Sequence, residues 1–217
     1  MNWLKVLIIR HALSSGNESG RMMGQLEDEL TDGGQHQARL LAQHLLQEDG
    51  CPTAIYSSPI GRAAQTAQLL AEPLGMEVQY RDDLKELHGG IFQGLTWVQA
   101  QQRYPQLCEQ LGRSRSWLPI PHAESPEDGY QRATRFLQEV LSRHSNGDRL
   151  WVISHAGLIQ HLVAAILGGD RTWGLSIPNT SMFEFWVDRE RWFTLGQDRR
   201  NTELWKIRRF NDVRHLE

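Results

Sequence analysis

The run Val6-Leu7-Ile8-Ile9 constrains the fold of this chain more than any other stretch, because it leads directly into Arg10-His11. Four consecutive apolar residues, mostly β-branched, are typical of a strand buried on both faces, which favours an α/β protein with a parallel sheet. Ligands of open α/β sheets bind beyond the carboxyl ends of the strands. A cation beside an imidazole at that edge indicates an anion or phosphoryl site, although a lone histidine more often simply ends a strand.

The composition excludes several other classes of protein. A length of 217 residues suits one domain with a small cap, and 23% charged residues are ordinary for a globular chain. The net charge of −3 gives no electrostatic case for a nucleic-acid partner or an anionic membrane surface. The apolar runs are shorter than the roughly 20 residues of a membrane span. We therefore expect neither nucleic acid nor a membrane as a partner.

The N-terminus and the cysteines point to a cytoplasmic location. A charged pair follows the first apolar run, so the start of the chain lacks the apolar region and cleavage site of a signal peptide. Cys51 and Cys108 are too few for a disulfide scaffold and lack metal-ligand spacing, which predicts reduced thiols.

Strand-like and helix-like stretches alternate along the chain. They predict a three-layer α/β sandwich, with a mostly parallel central sheet, helices on both faces and a small cap. Strands are expected at 3–9, 54–57, 78–80, 150–154, 182–187 and 203–208, the last two antiparallel. Helices are expected at 34–48, 60–74, 96–111, 126–144 and 158–167, three of them starting at Thr31-Asp32, Ser58-Pro59 and Ser125-Pro126. Loops are expected at 12–32, 85–95 and 112–126, and a cap insertion at about 95–125 within a single domain of residues 1–217.

Two histidines and two arginines are predicted to meet at one edge of the sheet. Ile153-Ser154-His155 repeats the pattern of Ile9-Arg10-His11, since a buried strand again ends in an imidazole. If these strands are parallel neighbours, both rings lie at the same edge. Arg62 is expected in the first turn of a helix that follows a strand, where free backbone N–H groups favour an anion. This convergence makes a purely structural role for each residue the less favoured explanation.

These residues stand in segments that resemble the histidine phosphatase superfamily, the phosphoglycerate-mutase-like family. Arg10-His11-Ala12-Leu13-Ser14, with Asn17 and Arg21 downstream, is similar to the family's R-H-G-x-T motif. The later matches occur in family order and span most of the chain. They are Leu30 to Ala38 (L-T-x-x-G-x-x-Q-A), Ser57 to Ala67 (S-S-x-x-x-R-x-x-Q-T-A), Glu86 to Gly94 (E-x-x-x-G-x-x-x-G) and Ser154 to Gly157 (the late H-G-G segment). Each match is weak alone, but together they are highly specific.

The resemblance implies a role for each matched residue. His11 is expected to be the nucleophile that takes the phosphoryl group as a phosphohistidine, which divides one hard displacement into two easier ones. Glu86 is expected to protonate the leaving alkoxide and then to act as general base on water. Arg10, Arg62 and His155 are expected to hold the phosphate oxygens. The other candidates for phosphate binding or for the pocket lining are Asn17, Ser14, Arg21 and Ala156.

The expected activity is that of a metal-independent phosphomonoesterase, a phosphoric monoester hydrolase of the histidine acid phosphatase type. No cofactor is expected, and the sequence offers no carboxylate-rich metal site. The expected partner is a small phosphorylated metabolite, such as phosphoserine, a sugar phosphate, a phosphoglycerate derivative or α-ribazole phosphate. Selectivity is expected in the cap and in the Glu86 loop, and a homodimer through an edge strand or an apolar helix is the expected assembly.

Two other functions stay open at this point. A cofactor-dependent phosphoglycerate mutase has a segment similar to E-x-H-Y-G at the acid loop, whereas this chain has Gly89 at the position of the Tyr. Such a mutase also carries a Lys after the next Gly, where this chain has Leu95-Thr96-Trp97. This chain also lacks the long mutase insertion rich in Arg and Pro. A non-catalytic phospho-ligand binder on the same fold would lack the nucleophile, the acid or a clamp, and here all are present. Ala12 and Ala156 replace family glycines, a small change that we expect to preserve activity.

Other histidines and the C-terminal tail are weaker candidates for the site. His88 and His122 are candidates for contacts in the pocket, the first beside Glu86 and the second in the cap. Residues 210–216 resemble a tail found in phosphatase members of the family, which we expect near the sheet edge or the pocket mouth. Three histidines in helical stretches are expected to be structural or exposed: His36, His44 and His161.

Overall fold

The computed structural model describes residues 2–48, 50–114, 117–169, 171–193 and 204–217. The strands are β1 (Leu4–Arg10), β2 (Ala54–Ser57), β3 (Val78–Tyr80), β4 (Arg149–Ser154), β5 (Met182–Val187) and β6 (Trp205–Asp212). The α-helices are α1 (Ser15–Glu18), α2 (Asp32–Glu48), α3 (Gly61–Ala71), α4 (Trp97–Arg103), α5 (Pro105–Arg113), α6 (Pro126–Arg143), α7 (Ala156–Leu167) and α8 (Arg189–Trp192). Short 3₁₀ turns occupy Glu72–Leu74, Asp82–Leu84, Gly90–Phe92 and Arg214–Leu216.

The strands form one six-stranded sheet in the order β3-β2-β4-β1-β5-β6. The strands β3, β2, β4 and β1 are parallel, whereas β5 and β6 are antiparallel additions. In the β1–β4 register, Ile9 lies beside Ile153 and Arg10 beside Ser154. His11 and His155 therefore leave the sheet at the same level. The prediction of a mostly parallel α/β sheet is confirmed, and the two histidine-terminated strands, whose adjacency the sequence left open, are parallel neighbours.

Helices pack against both faces of the sheet, because side chains along a strand point alternately to opposite sides. Leu4, Val6 and Ile8 of β1 belong to an apolar cluster shared with α6 and α7. Leu7 and Ile9 belong to a second cluster, shared with α2 and α3. Each such side chain, when fully buried, contributes about 1.5–3 kcal/mol. The strand that leads into His11 is thus packed against helices on both faces of the sheet.

The predicted helix starts at Thr31-Asp32 and Ser125-Pro126 are confirmed by their hydrogen bonds. The Thr31 Oγ1 accepts the Gly34 N–H at 3.1 Å. The Ser125 Oγ accepts the Asp128 N–H at 3.1 Å, and the Asp128 carboxylate accepts the Ser125 N–H at 3.0 Å. This reciprocal capping box satisfies two backbone donors at the start of α6.

The predicted start at Ser58-Pro59, for the helix expected at 60–74, is wrong. The helix α3 begins at Gly61, and Ile60 occupies its N-cap without a side-chain hydrogen bond. The Ser58 hydroxyl instead accepts the Ile60 N–H at 3.2 Å and contacts His155 at the site edge. A tertiary partner has taken the serine from the capping role that its local sequence predicts.

Three other boundaries differ from the predictions. The single helix expected at 96–111 is two helices, because Pro105 lacks an N–H to continue α4 and instead opens α5. The loop expected at 12–32 contains the short helix α1. The helix expected from 158 begins at Ala156, and β6 extends to Asp212 rather than 208. The expected start of that last strand at 203 lies outside the described residues.

The cap segment has an apolar cluster of its own. Phe92, Leu95, Ala100 and Cys108 are its buried members. Gly90, with a φ of 56°, brings the preceding loop against this segment, since a Cβ there would lie 2.1 Å from the Pro121 carbonyl oxygen. None of the described helices has both the length and the apolar composition needed to cross a bilayer.

Candidate active site

A cavity of about 300 Å³ opens at the carboxyl edge of the sheet, where the topology predicts a ligand site. It collects side chains from β1, from the loop after β1, from α3 and from the loop around Glu86. Three larger grooves lie along α3, but none of the three brings a histidine together with an arginine. The residues lining the cavity are Arg10, His11, Asn17, Arg21, Met22, Met23, Gly24, Arg62, Glu86, Leu87 and Gly89.

His11 is held in one tautomer beside an arginine. Its Nδ1 lies 2.8 Å from the Ala12 carbonyl oxygen, which can only accept, so Nδ1 carries the proton. Nε2 keeps its lone pair and accepts the Arg62 Nε–H at 3.2 Å. Burial, followed by the charges of Arg62 and Arg10, holds the pKa of His11 well below its usual range. The imidazole is therefore neutral at neutral pH.

Arg62 is locked by a buried carboxylate that the sequence analysis missed. Its Nη1 donates to the Asp28 Oδ1 at 2.6 Å, and its Nη2 donates to the Gly24 carbonyl oxygen at 2.7 Å. The other oxygen of Asp28 accepts the Gly16 N–H at 3.1 Å. Asp28 lies in the long loop after β1, and an acidic residue inside a predicted functional loop was its only sequence signal.

His155 lies against His11 with 5.0 Å between the ring centroids. Its Nε2 is 2.8 Å from the Ser58 Oγ. Burial, followed by the nearby His11 ring and the charges of Arg62 and Arg10, holds the pKa of His155 well below its usual range. At the site, the Nδ1 of His155 and the Nε of Arg10 are buried and have no hydrogen-bond partner within the described structure. Such unpartnered groups are costly. Arg10 lines the cavity, where a bound anion would be a partner for its Nε. His155 is fully buried and does not line the cavity.

The Glu86 carboxylate lies at the N-terminus of α7. It accepts the N–H groups of Leu87 at 2.8 Å, Gly157 at 3.1 Å and Leu158 at 3.1 Å. The first N–H groups of a helix have no intrahelical partner and attract anions. A Cβ at position 157 would lie 2.5 Å from the Glu86 Oε1, so a glycine is needed for this approach.

Asn17 lies in the cavity and is oriented by a second asparagine. The Asn179 Nδ2 donates to the Asn17 Oδ1 at 2.9 Å and to the His11 carbonyl oxygen at 3.0 Å. With its oxygen engaged, Asn17 has its amide N–H groups to offer. Ser14, by contrast, lies outside the cavity lining: it is fully buried and its Oγ accepts the Asn17 N–H at 3.3 Å. No sequence signal pointed to Asn179.

The other sequence candidates contact the cap or the core. The Arg21 Nη1 donates to the Gly94 carbonyl oxygen at 2.6 Å, which places this cation at the cap side of the cavity. Ala156 is the first residue of α7 and packs against the core. The His88 Nδ1 is 2.8 Å from the His122 carbonyl oxygen, so these two histidines join the Glu86 loop to the cap rather than line the cavity.

The C-terminal tail packs behind the site. The His215 Nε2 lies 2.9 Å from the Thr180 Oγ1, and the Thr180 N–H donates to the Arg10 carbonyl oxygen at 3.1 Å. His215 also stacks obliquely on His44 of α2, with 5.9 Å between the centroids. Of the other helical histidines, His36 is exposed and His161 is buried.

The chain that forms this site matches the model of a known protein family. The model of the histidine phosphatase superfamily (branch 1) matches residues 6–198. The chain belongs to this superfamily. Among the described residues, no three His, Cys, Asp or Glu side chains cluster in a way that could hold a metal ion.

Relatives within the histidine phosphatase superfamily carry both phosphatase and mutase names. The chain is 33% identical to phosphoserine phosphatase 1 of Hydrogenobacter thermophilus, covering 87% of this chain and 89% of the relative. It is 32% identical to phosphoglycerate mutase-like protein 4 of Arabidopsis thaliana, covering 100% and 89%. A mycobacterial glucosyl-3-phosphoglycerate phosphatase solved with VO3 has a TM-score of 0.75 and 26% identity, over 96% of this chain and 98% of that one. The phosphatases among these relatives support a phosphatase activity for this chain.

Proposed function

We propose that this chain hydrolyses a small phosphomonoester through a phosphohistidine on His11 and needs no metal ion to do so. The observation that carries the proposal is the neutral His11 ring, whose unprotonated Nε2 lies beside Arg62. Phosphoryl transfer depends mostly on positioning and on stabilising charge, and both are supplied here by protein side chains.

In the first step, the Arg62 Nε–H moves from the His11 Nε2 to a phosphoryl oxygen. The freed lone pair of Nε2 then attacks phosphorus, and the bond between phosphorus and the ester oxygen breaks. Arg10, Arg62 and His155 stabilise the charge on the phosphoryl oxygens, with Asn17 as a further neutral donor. The protonated Glu86 carboxyl gives its proton to the departing alkoxide, so an alcohol leaves. The step ends with a phosphohistidine and an ionised Glu86.

In the second step, water replaces the alcohol. The Glu86 carboxylate takes a proton from this water as its oxygen attacks phosphorus, and the bond between phosphorus and Nε2 breaks. Inorganic phosphate is released, His11 is neutral again and Glu86 is reprotonated. The N–H groups of α7 hold the ionised carboxylate in position to take this proton.

The cavity favours a compact substrate that carries a second negative charge. At about 300 Å³ it is at the small end of ligand sites. Arg21 lies at its cap side, while Met22, Met23 and Leu87 provide apolar walls. Phosphoserine, which the name of a 33% identical relative indicates, is therefore the first substrate to test.

Phosphate release from a panel of phosphomonoesters tests the proposal. We expect hydrolysis that persists in EDTA, and a phosphorylated protein that is trapped by quenching in alkali, where phosphohistidine survives. His11→Ala should abolish both signals, whereas His36→Ala, on the exposed face of α2, should leave both unchanged. Undiminished hydrolysis by His11→Ala would overturn the assignment of the nucleophile.

The mutase alternative gives the opposite outcome in the same assay. A phosphoglycerate mutase would interconvert 3- and 2-phosphoglycerate without net release of phosphate, and net release would exclude it. The homodimer and the cytoplasmic location stay predictions. Sedimentation of the purified protein would check the first, and fractionation of cells would check the second.

A further inference from the structure

We propose that Arg132 is a positioning residue for Glu86, and that Glu124 orients Arg132 for this task. The inference rests on the proposed function, because it assigns a device that sets the geometry of the proposed acid. Arg132 lies on α6 and does not line the cavity, so it acts only through the Glu86 loop.

Every N–H group of the Arg132 guanidinium donates a hydrogen bond to this loop or to Glu124. Three of the bonds reach backbone carbonyl oxygens of Asp83 at 2.9 Å, Lys85 at 2.6 Å and Glu86 at 3.2 Å. The other two form a bidentate pair with the Glu124 carboxylate at 2.8 and 2.9 Å. Only a planar fork with five donors makes this pattern, and a lysine ammonium has three donors at a single point.

Glu124 joins the same loop to the end of the cap segment. Its second oxygen also accepts the His88 N–H at 2.9 Å, and its own N–H donates to the His88 carbonyl oxygen at 2.9 Å. The Arg132–Glu124 pair is largely buried, since the two side chains are 10% and 19% exposed. The loop on either side of Glu86 is therefore bound to one buried ion pair.

The geometry assigns separate anchors to the two ends of Glu86. Its carboxylate is held by α7, and its backbone carbonyl is held by Arg132 and by the Gln25 Nε2 at 2.9 Å. Between the 3₁₀ turns Asp82–Leu84 and Gly90–Phe92 the backbone belongs to no helix or strand, although Gly89 forms an isolated β-bridge with Ala123. A small displacement of an acid weakens proton transfer steeply. The bonds from the Arg132 side chain to the loop backbone therefore matter for the reaction.

The test compares leaving groups in Arg132→Lys and Glu124→Gln. Nitrophenolate departs without a proton, whereas the alkoxide of phosphoserine needs one. We measure kcat/KM, which covers the steps up to phosphohistidine formation and excludes its hydrolysis. We expect kcat/KM for phosphoserine to fall about 10-fold or more in each variant, and kcat/KM for p-nitrophenyl phosphate to change by about 2-fold or less.

Arg135→Lys is the matched control. Arg135 lies one turn further along α6 and pairs with Asp83 of the same loop at 3.3 Å, but its side chain is 61% exposed. We expect both kcat/KM values of this variant to stay within about 2-fold of the parent protein. Equal losses on both substrates in Arg132→Lys and Glu124→Gln would overturn the proposal and leave the pair a purely structural one.

A double mutant separates positioning from stability. In a Glu86→Gln background the acid is absent, so adding Glu124→Gln should cost phosphoserine turnover little more. An undiminished further loss would contradict the inference, and this measurement remains available if Arg132→Lys does not fold. Failure of the parent protein to release phosphate from any ester would instead count against the proposed function.

Discussion

His11 and Glu86 line the same cavity, but they are held there by different kinds of structure. His11 follows a strand that is paired on both sides, and its neighbour Arg62 is set by the buried Asp28. Glu86 lies in an irregular loop whose backbone is bound by the side chains of Arg132 and Gln25. In the proposed mechanism the strand side holds the phosphoryl group and the loop side holds the proton, so damage to each side should have a different kinetic signature.

The largest effect is expected on the strand side, from Arg62→Lys. Lysine keeps the charge but cannot reach His11, Asp28 and Gly24 at once. We expect kcat/KM for p-nitrophenyl phosphate to fall about 10²–10³-fold, as when one stabilising donor of a transition state is removed. Arg39→Lys, on the exposed face of α2, is the control. A loss as small as that of the control would refute the clamp role of Arg62.

Asp28→Asn should lower the stability of the strand side. The Arg62–Asp28 pair is 3% and 4% exposed, so removing the carboxylate leaves a buried uncompensated cation. We expect the free energy of unfolding in urea to fall by about 3 kcal/mol. Inorganic phosphate should restore more stability to this variant than to the parent, because it supplies the missing anion.

Asp82→Asn serves as the control for that substitution. Asp82 pairs with Lys85 at 2.8 Å, but its side chain is 81% exposed. Exposed pairs contribute about 0–1 kcal/mol, so this variant should unfold almost like the parent. Comparable losses of unfolding free energy in Asp28→Asn and Asp82→Asn would show that the buried pair contributes no more to stability than the exposed one.

Gly157→Ala should damage the loop side alone. The added methyl group would lie 2.5 Å from the Glu86 Oε1 and 3.3 Å from the Leu87 Cδ1, so the carboxylate must move. We expect kcat/KM for phosphoserine to fall about 10-fold while kcat/KM for p-nitrophenyl phosphate is almost retained. Gly112→Ala in α5, where a Cβ meets nothing within 4 Å, is the matched control. A uniform loss on both esters would remove the kinetic distinction between the two sides.

The smallest effect is the dependence of stability on pH. The pKa values of His11 and His155 are lowered by burial, and that of His215 is lowered to about 4 by burial and by His44. Between a histidine's ordinary value of 6.5 and its lowered value, the unfolded chain binds more protons than the folded one. The free energy of unfolding should therefore decrease as the pH falls below 6.5.

Urea unfolding between neutral pH and about pH 5 checks this slope. His215→Gln removes one titrating group, and since that ring is about half buried the slope should become only slightly shallower. A free energy of unfolding that rises on acidification would contradict the assignment of neutral buried rings.

Most predictions from sequence that succeeded rest on a local pattern with a local cause. The strand β1 was predicted from a run of apolar residues, and the N-cap Ser125 from the hydrogen-bonding capacity of its hydroxyl. The same reasoning failed for Ser58 as an N-cap, because its hydroxyl contacts His155, which lies 97 positions away along the chain. The break between α4 and α5 could have been predicted, since Pro105 was visible.

The sequence by itself determined the parallel sheet, its two histidine-terminated strands and the family, because these follow from short-range periodicity and from motifs read in order. It also named His11, Arg62 and Glu86 as candidates. Only the tertiary structure decided what holds them, because their partners are distant along the chain. Asp28 is 34 positions from Arg62, Gly157 is 71 from Glu86, and Arg132 is 46 from Glu86. No local pattern encodes such a pairing, since it exists only once the sheet and its helices have brought the segments together.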